Sequence, residues 1–241
     1  MTAAASDTAV RAVVLDIEGT TTPVSFVYDV LFPYARARLR EFLWQHGNDG
    51  VVRDALSLLA AEWVEDTEAR GQIPRAARDD TIGSAGYLEW LMDRDRKSTA
   101  LKIIQGEIWR GGFESGALRG EVYPDVKPAL ERWRRTGRRL VIYSSGSAAA
   151  QRLLFGHSTA GDLTPLFERY FDTTVGAKRS VDSYAAIARA LDVPANAILF
   201  VSDVDAELVA ARNAGFQTRL CVRSGDAPPT SSPVIRSFDE L

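Results

Sequence analysis

VVLDIEGTTTP, residues 13–23, runs an apolar segment straight into Asp16 and then sets down Glu18, Gly19 and three consecutive threonines. A short, continuous apolar run rich in Val and Leu predicts a strand covered on both faces, as in a parallel sheet. Such a strand ends at the edge where an open α/β sheet binds its ligands. Two carboxylates and a glycine turn at that edge therefore ask to be read as chemistry or as a polar loop.

Working outward, four runs carry the same pattern: AVVLDI (12–17), RLVIYSS (139–145), AILFVSD (197–203) and TRLCV (218–222), with a weaker one at YFDTTVG (170–176). Helical patterns lie between them. DVKPALERWRRTG has Asp125 placed to cap, Pro128 in the first turn and Gly137 as terminator. SVDSYAAIARALDV spaces Tyr184, Ile187 and Leu191 along one face, and DAELVAARNAG closes at Gly215. This alternation from about residue 120 onward predicts a doubly wound, mainly parallel α/β core.

The stretch after strand one differs. VLFPYARARLREFLWQ and DALSLLAAEWVEDT are amphipathic helical patterns, and no convincing strand lies between Val24 and Gly106. The expected organisation is a core formed by residues 1–22 and 119–241 with an inserted helical cap domain over 23–118. Gly111, Gly112, Gly116 and Gly120 are expected to form the connector back to the core, and SGDAPPTSSP to be a loop leading to a short ending.

With 241 residues the chain is long enough to bury a substantial core, and 46% apolar with 25% charged residues is ordinary for a globular protein. A net charge of −3 argues against nucleic-acid and membrane partners. One cysteine, Cys221, and two histidines are too few for an internal disulfide or a typical structural zinc site. These features favour a reducing, cytoplasmic setting. MTAAASDTAV, at the start, lacks the basic and apolar regions of a signal peptide and is expected to be a frayed tail. No run approaches the roughly 20 apolar residues of a membrane span.

Three strand ends carry reactive groups: Asp16 with Glu18, Ser144-Ser145-Gly146-Ser147, and Ser202-Asp203. A structural sheet has no need to gather carboxylates on one edge. Asp16 and Asp203 are hard oxygen ligands suited to Mg²⁺, which takes carboxylates, water and substrate phosphate. Ser144 or Ser145, with amides near Gly146, suits phosphate oxygens, and Lys178 after the weak strand can offset remaining negative charge.

DIEGT, SSGS, Lys178 and SD, in that order at strand ends, resemble the four motifs of the haloacid dehalogenase superfamily of phosphohydrolases. LDIEGTTTPVSFVYDVLFPYA, YSSGSAAAQRLLFGHSTAGDL and FDTTVGAKRS are similar to its enolase-phosphatase branch in methionine salvage, and the likeness covers nearly the whole chain. The resemblance implies that Asp16 is the nucleophile and Glu18 the acid and base. Asp16, the Glu18 backbone carbonyl and Asp203 would hold one Mg²⁺ per subunit. Ser144, Ser145 and Lys178 would bind phosphate, and Gly19 would permit the turn beneath the nucleophile, with Thr20 steadying the loop.

Where most of the superfamily has an aspartate, this branch and this chain carry Glu18. The last motif reads SDVDAE rather than paired aspartates, leaving Asp205 and Glu207 either as support for the site or as an acidic first helical turn. The implied substrate is 2,3-diketo-5-methylthiopentyl-1-phosphate, enolised and then dephosphorylated to an acireductone by a monomer. The helical insertion would be a lid, with Phe26 and Tyr28 either cap contacts for the methylthio end or core; the pattern assigns no base to the enolisation. A plain phosphomonoesterase of the same superfamily is the nearest alternative, and a non-catalytic module on this fold has no use for Asp16, Lys178 and Asp203 together. A dinucleotide enzyme fits worse, because no G-x-G-x-x-G follows strand one.

RWRRTGRR places five arginines between 132 and 139 at a helix end, where cations complement the dipole. His157 either shapes the site entrance or is structural, and His46 is expected at a helix C-terminus.

Overall fold

The four residues of β1, Ala12–Leu15, have no measurable exposure and pair in parallel with β2 (Arg139–Tyr143) on one side and β4 (Ile198–Ser202) on the other. The computed structural model of the chain describes residues 9–73 and 83–241. β3 (Arg169–Phe171), β5 (Gln217–Cys221) and β6 (Val234–Ile235) complete a parallel sheet in the order β3-β2-β1-β4-β5-β6. This is the doubly wound arrangement, in which the strand order reverses at β1 and opens a crevice beyond its carboxyl end.

Alternate strand residues point to opposite faces. Ala12, Val14, Val141, Tyr143, Ile198 and Phe200 pack with Tyr184, Ile187 and Leu191 of α8 (Val181–Leu191) and Leu208 and Ala211 of α9 (Asp205–Asn213). Their neighbours Val13, Leu15, Leu140, Ile142 and Val201 are equally buried on the other face, where α6 (Val126–Arg135) and α7 (Ala148–Gly156) lie against β2 and β3. Burial on both faces explains why these strands read as unbroken apolar runs.

The chain divides into two compact units, Met1–Phe26 with Arg119–Leu241, and Val27–Leu118. The second is helical: α1 (Phe32–His46), α2 (Gly50–Glu65), α3 (Thr67–Gln72), α4 (Gly83–Asp93) and α5 (Thr99–Glu114). Leu39, Leu43, Leu59, Leu88, Ile104 and Ile108 form a core of its own. Among the described residues no helix is long and apolar enough to cross a membrane.

Three local expectations are corrected. Gly111 and Gly112 do not form a connector, since α5 runs through both. A Cβ on Gly112 would lie 2.8 Å from the Tyr34 ring and from Leu118, so the glycine there allows close packing. Asp125 occupies the cap position of α6 without a capping hydrogen bond. Its carboxylate instead accepts from Arg223 (2.6 Å), the Phe238 amide (2.6 Å) and Ser237 (3.1 Å), a charged partner outcompeting the local cap. The short ending carries β6 and a 3₁₀ turn at Phe238–Glu240 whose Ser237 and Glu240 form a capping box. Finally, the weak strand at 170–176 is only three residues long and starts at Arg169. The frayed start falls outside the described residues up to position 8.

Candidate active site

The turn after β1 is closed by its own backbone. The amides of Thr20, Thr21 and Thr22 all donate to the Ile17 carbonyl (3.2, 2.9 and 2.9 Å), and the Gly19 amide donates to the Thr22 carbonyl at 2.8 Å. Gly19 adopts φ +68, a conformation that suits glycine, and Asp203 lies so close that a Cβ would stand 2.2 Å from its Oδ2. The glycine thus serves both the turn and the approach of a carboxylate arriving from β4. Thr20 ties the loop through its backbone, while the hydroxyl contact comes from Thr21, whose Oγ1 donates to the Asp16 carbonyl at 3.0 Å; Thr20 Oγ1 is buried with no partner among the described residues. The Thr20 carbonyl is held by Arg223 Nε (2.9 Å) and Nη2 (2.6 Å).

Asp16 is buried beyond this strand end. Its Oδ1 accepts from the Ile17 amide at 2.7 Å and lies 2.7 Å from Lys178 Nζ, which fills both lone pairs. Its Oδ2 faces Ser202 Oγ at 3.1 Å. That hydroxyl is also 3.1 Å from Glu207 Oε2, yet has one proton to give, so at any moment one of the two carboxylates goes without it. Oδ2 is therefore the Asp16 oxygen with a spare lone pair.

Lys178 Nζ is also 2.7 Å from Glu207 Oε2. Burial by itself would push its ammonium down, but the charges of Asp16 and Glu207 and their hydrogen bonds hold it above the usual lysine range. Burial, then the Asp16 charge, push the Glu207 carboxyl up, and Lys178 and Ser202 pull it back only in part. Asp203 is pushed up to about 6 by burial first and then by Asp16. Glu207 thus belongs to the charged cluster, whereas Asp205 receives the Thr230 hydroxyl outside it.

Ser144 is buried at the end of β2; its amide donates to the Phe171 carbonyl at 3.2 Å, and its Oγ accepts from the Gly146 amide at 3.3 Å. Ser145 is half-buried beside it, and Ser147 caps α7 by accepting from the Ala150 amide. Gln151 ties this turn to β3 by donating to the Gly146 (2.7 Å) and Phe171 (2.9 Å) carbonyls. Glu18 is half-buried in the first loop and forms a bridge with Thr22.

Asp16, Lys178, Ser202, Asp203 and Glu207 are thus joined by direct contacts or by charge. Ser202, Gln151 and Arg223 had no assigned role in the sequence; the one available signal was that Ser202 and Arg223 also stand at strand ends on this edge. His157 ends α7 and its carbonyl accepts the Gly120 amide at 2.9 Å, while His46 ends α1 with Nδ1 2.8 Å from Asp49. Tyr28 is exposed and stands edge-on to Phe32, whereas Phe26 is buried. Burial pushes the Cys221 thiol up to about 11, leaving it inert at neutral pH.

Among the described residues no three His, Cys, Asp or Glu side chains are grouped to hold a metal. A divalent ion here would rest on two carboxylates, a backbone carbonyl, water and substrate. That donor set suits Mg²⁺, and Asp203, pushed up by burial and then by the Asp16 charge, forms no salt bridge among the described residues.

A doubly wound sheet with an acidic and cationic cluster at its switch point can host many chemistries, and sequence similarity selects the hydrolase class among them. The family model for haloacid dehalogenase-like hydrolases matches residues 10–215, and the chain belongs to that family. It is an enzyme of the hydrolase class. It is 50% identical over 234 residues to the enolase-phosphatase E1 of Synechococcus elongatus, covering 96% of this chain and 98% of the relative. It is 52% identical over 210 residues to the enolase-phosphatase E1 of Parvibaculum lavamentivorans, covering 87% and 85%. Among solved structures, the UTR4 protein of Saccharomyces cerevisiae superposes with a TM-score of 0.78 at 33% identity, over 96% of this chain and all of that one.

Proposed function

We propose that this chain is an Mg²⁺-dependent enolase-phosphatase of methionine salvage. It would convert 2,3-diketo-5-methylthiopentyl-1-phosphate to the acireductone 1,2-dihydroxy-3-keto-5-methylthiopentene, as a cytoplasmic monomer. The observation that carries the reading is the contact of Lys178 Nζ with Asp16 Oδ1 at 2.7 Å, with Asp203 beside Gly19 at the same strand edge. Half-identity to the enolase-phosphatases over nearly the full chain supports the substrate.

The chemistry follows from the cluster. The Asp16 carboxylate attacks phosphorus, the bond from phosphorus to the substrate oxygen breaks, and Glu18 gives that oxygen its proton. Glu18, now a carboxylate, takes a proton from water as the water attacks the aspartyl-phosphate, releasing phosphate and restoring Asp16. Lys178 and the Ser144–Ser145 turn bind the phosphoryl oxygens. Lys178 also keeps the approaching phosphate dianion from being repelled by Asp16. Asp16, the Glu18 carbonyl and Asp203 would hold Mg²⁺, which when bound would supply charge neutralisation.

The test is to supply the diketone phosphate with Mg²⁺ under anaerobic conditions and follow enol absorbance and free phosphate together. The expected record is an enol signal accompanied by phosphate and acireductone. Phosphate release without an enol or acireductone would reduce the reading to a plain phosphomonoesterase. Asp16→Asn is expected to abolish phosphate release while retaining enolisation, and near-normal turnover by that variant would remove Asp16 as nucleophile.

A further inference from the structure

Lys178 stands on the irregular segment between β3 and α8, which has no ladder of its own to hold it. Three side-chain hydroxyls hold it instead. Tyr143 Oη donates to the Gly176 carbonyl at 2.9 Å, Ser183 Oγ to the Ala177 carbonyl at 2.8 Å, and Tyr184 Oη to the Lys178 carbonyl at 2.6 Å. Three consecutive carbonyls are each fixed by a donor from a regular element: Tyr143 is the last residue of β2, and Ser183 and Tyr184 lie in the first turn of α8. Gly176 has φ +133, and a Cβ there would fall 2.2 Å from Ser183 Oγ, so the chain passes close to its donor only as glycine.

Core packing alone does not call for these hydroxyls. The two tyrosine rings meet edge to face with centroids 5.6 Å apart, and Tyr184 also packs on Phe200 and Phe216. Phenylalanine would fill the same space. Both phenols spend their donors on the segment that carries Lys178. Tyr143 also directly precedes Ser144, and its ring centroid lies 5.9 Å from Lys178 Nζ. One side chain therefore ties the serine turn to the lysine loop.

We infer that Tyr143 and Tyr184 are positioning residues that set Lys178 for binding the phosphoryl group. The inference rests on the reading of Lys178 as the phosphate-binding cation. A phosphoryl group must share the ammonium with Asp16 and Glu207, 2.7 Å away on each side. A loosened backbone lets the ammonium drift from this fixed point between the two carboxylates, where it can meet Asp16 and the phosphoryl group together.

Tyr143→Phe, Tyr184→Phe and the double variant test this, by steady-state phosphate release and by inhibition with inorganic phosphate. A hydroxyl-to-carbonyl hydrogen bond of ordinary strength corresponds to about 3–10-fold, so each single variant is expected to raise KM and the phosphate inhibition constant by about that factor, and the double by about 10–100-fold. The Mg²⁺ concentration for half-maximal rate is expected to stay unchanged. A purely structural role lowers the melting temperature but leaves KM and the phosphate inhibition constant at wild-type values well below the transition; that result overturns the inference. Should the double variant not fold, the two single variants decide by the same criterion. Lys178→Met separates the two levels. If it leaves phosphate inhibition unchanged, the phosphate-binding role of Lys178 fails; if it weakens inhibition and the tyrosine variants do not, only the positioning role fails.

Discussion

Gly19→Ala should cost this enzyme far more activity than stability. The added Cβ would stand 2.2 Å from Asp203 Oδ2 and 2.6 Å from its Cγ, against the 3.4 Å at which ordinary contact begins. Relief needs about 1.2 Å of movement, the difference between 3.4 and 2.2 Å. The loop has little freedom to supply it, because three threonine amides converge on the Ile17 carbonyl and the Gly19 amide is itself bonded to Thr22. The movement falls on the Asp203 carboxylate, the proposed metal ligand. A displacement of about 1 Å at a reacting centre costs on the order of 10²-fold in rate. The backbone cost is smaller: an alanine at φ +68 loses roughly 1–2 kcal/mol. For a chain of this length that lowers the melting temperature by roughly 2–8 °C. The assay is an Mg²⁺ titration of phosphate release beside a thermal melt. The expected result is a rate lower by about 10²-fold and a higher Mg²⁺ requirement in a protein that still melts cooperatively. A variant with wild-type rate and wild-type Mg²⁺ requirement would refute the assignment of Asp203 and the close approach of Gly19.

Asp125→Asn breaks a half-buried ion pair with Arg223 and is expected to cost about 1–3 kcal/mol at pH 7, read by urea unfolding. Burial raises the Asp125 carboxyl, but hydrogen bonds from Arg223 and the Phe238 amide bring it below the usual range. A depressed carboxyl stabilises the fold above its unfolded value, about 3.9, and loses that contribution as pH falls through the folded one. The gap between wild type and variant should therefore narrow below about pH 4, and an equal gap at pH 3 and pH 7 would exclude the carboxylate charge as its source. Gly112→Ala gains helix propensity of about 1 kcal/mol but forces a Cβ to 2.8 Å from the Tyr34 ring, an overpacking that costs about 1–3 kcal/mol. A melting temperature equal to or below wild type is expected, and a clear rise would show that the ring yields freely.

What could be read from the sequence follows from how local each feature is. β1, β2, β4 and β5 were legible because strands covered on both faces leave continuous apolar runs, and Asp16, Ser144 and Asp203 were legible because each ends such a run. β6 was not, since two residues between polar turns carry no pattern. Asp125 misled because its place in the chain is that of a cap, while the partner that claims it, Arg223, lies in a distant segment. Tyr143 and Tyr184 were visible as core residues only; their hydroxyls acquire a purpose when the lysine loop is folded against them. Glu207 shows the limit most sharply. An acid in the first turn of α9 complements the helix dipole wherever its side chain points, and spacing leaves that account and a role in the site equally open. The dipole account needs no cation beside the acid, whereas Glu207 is 8% exposed and stands 2.7 Å from Lys178. A carboxylate with so little water around it costs several kcal/mol unless a cation meets it. Lys178 is that cation, and through it Glu207 acts on Asp16.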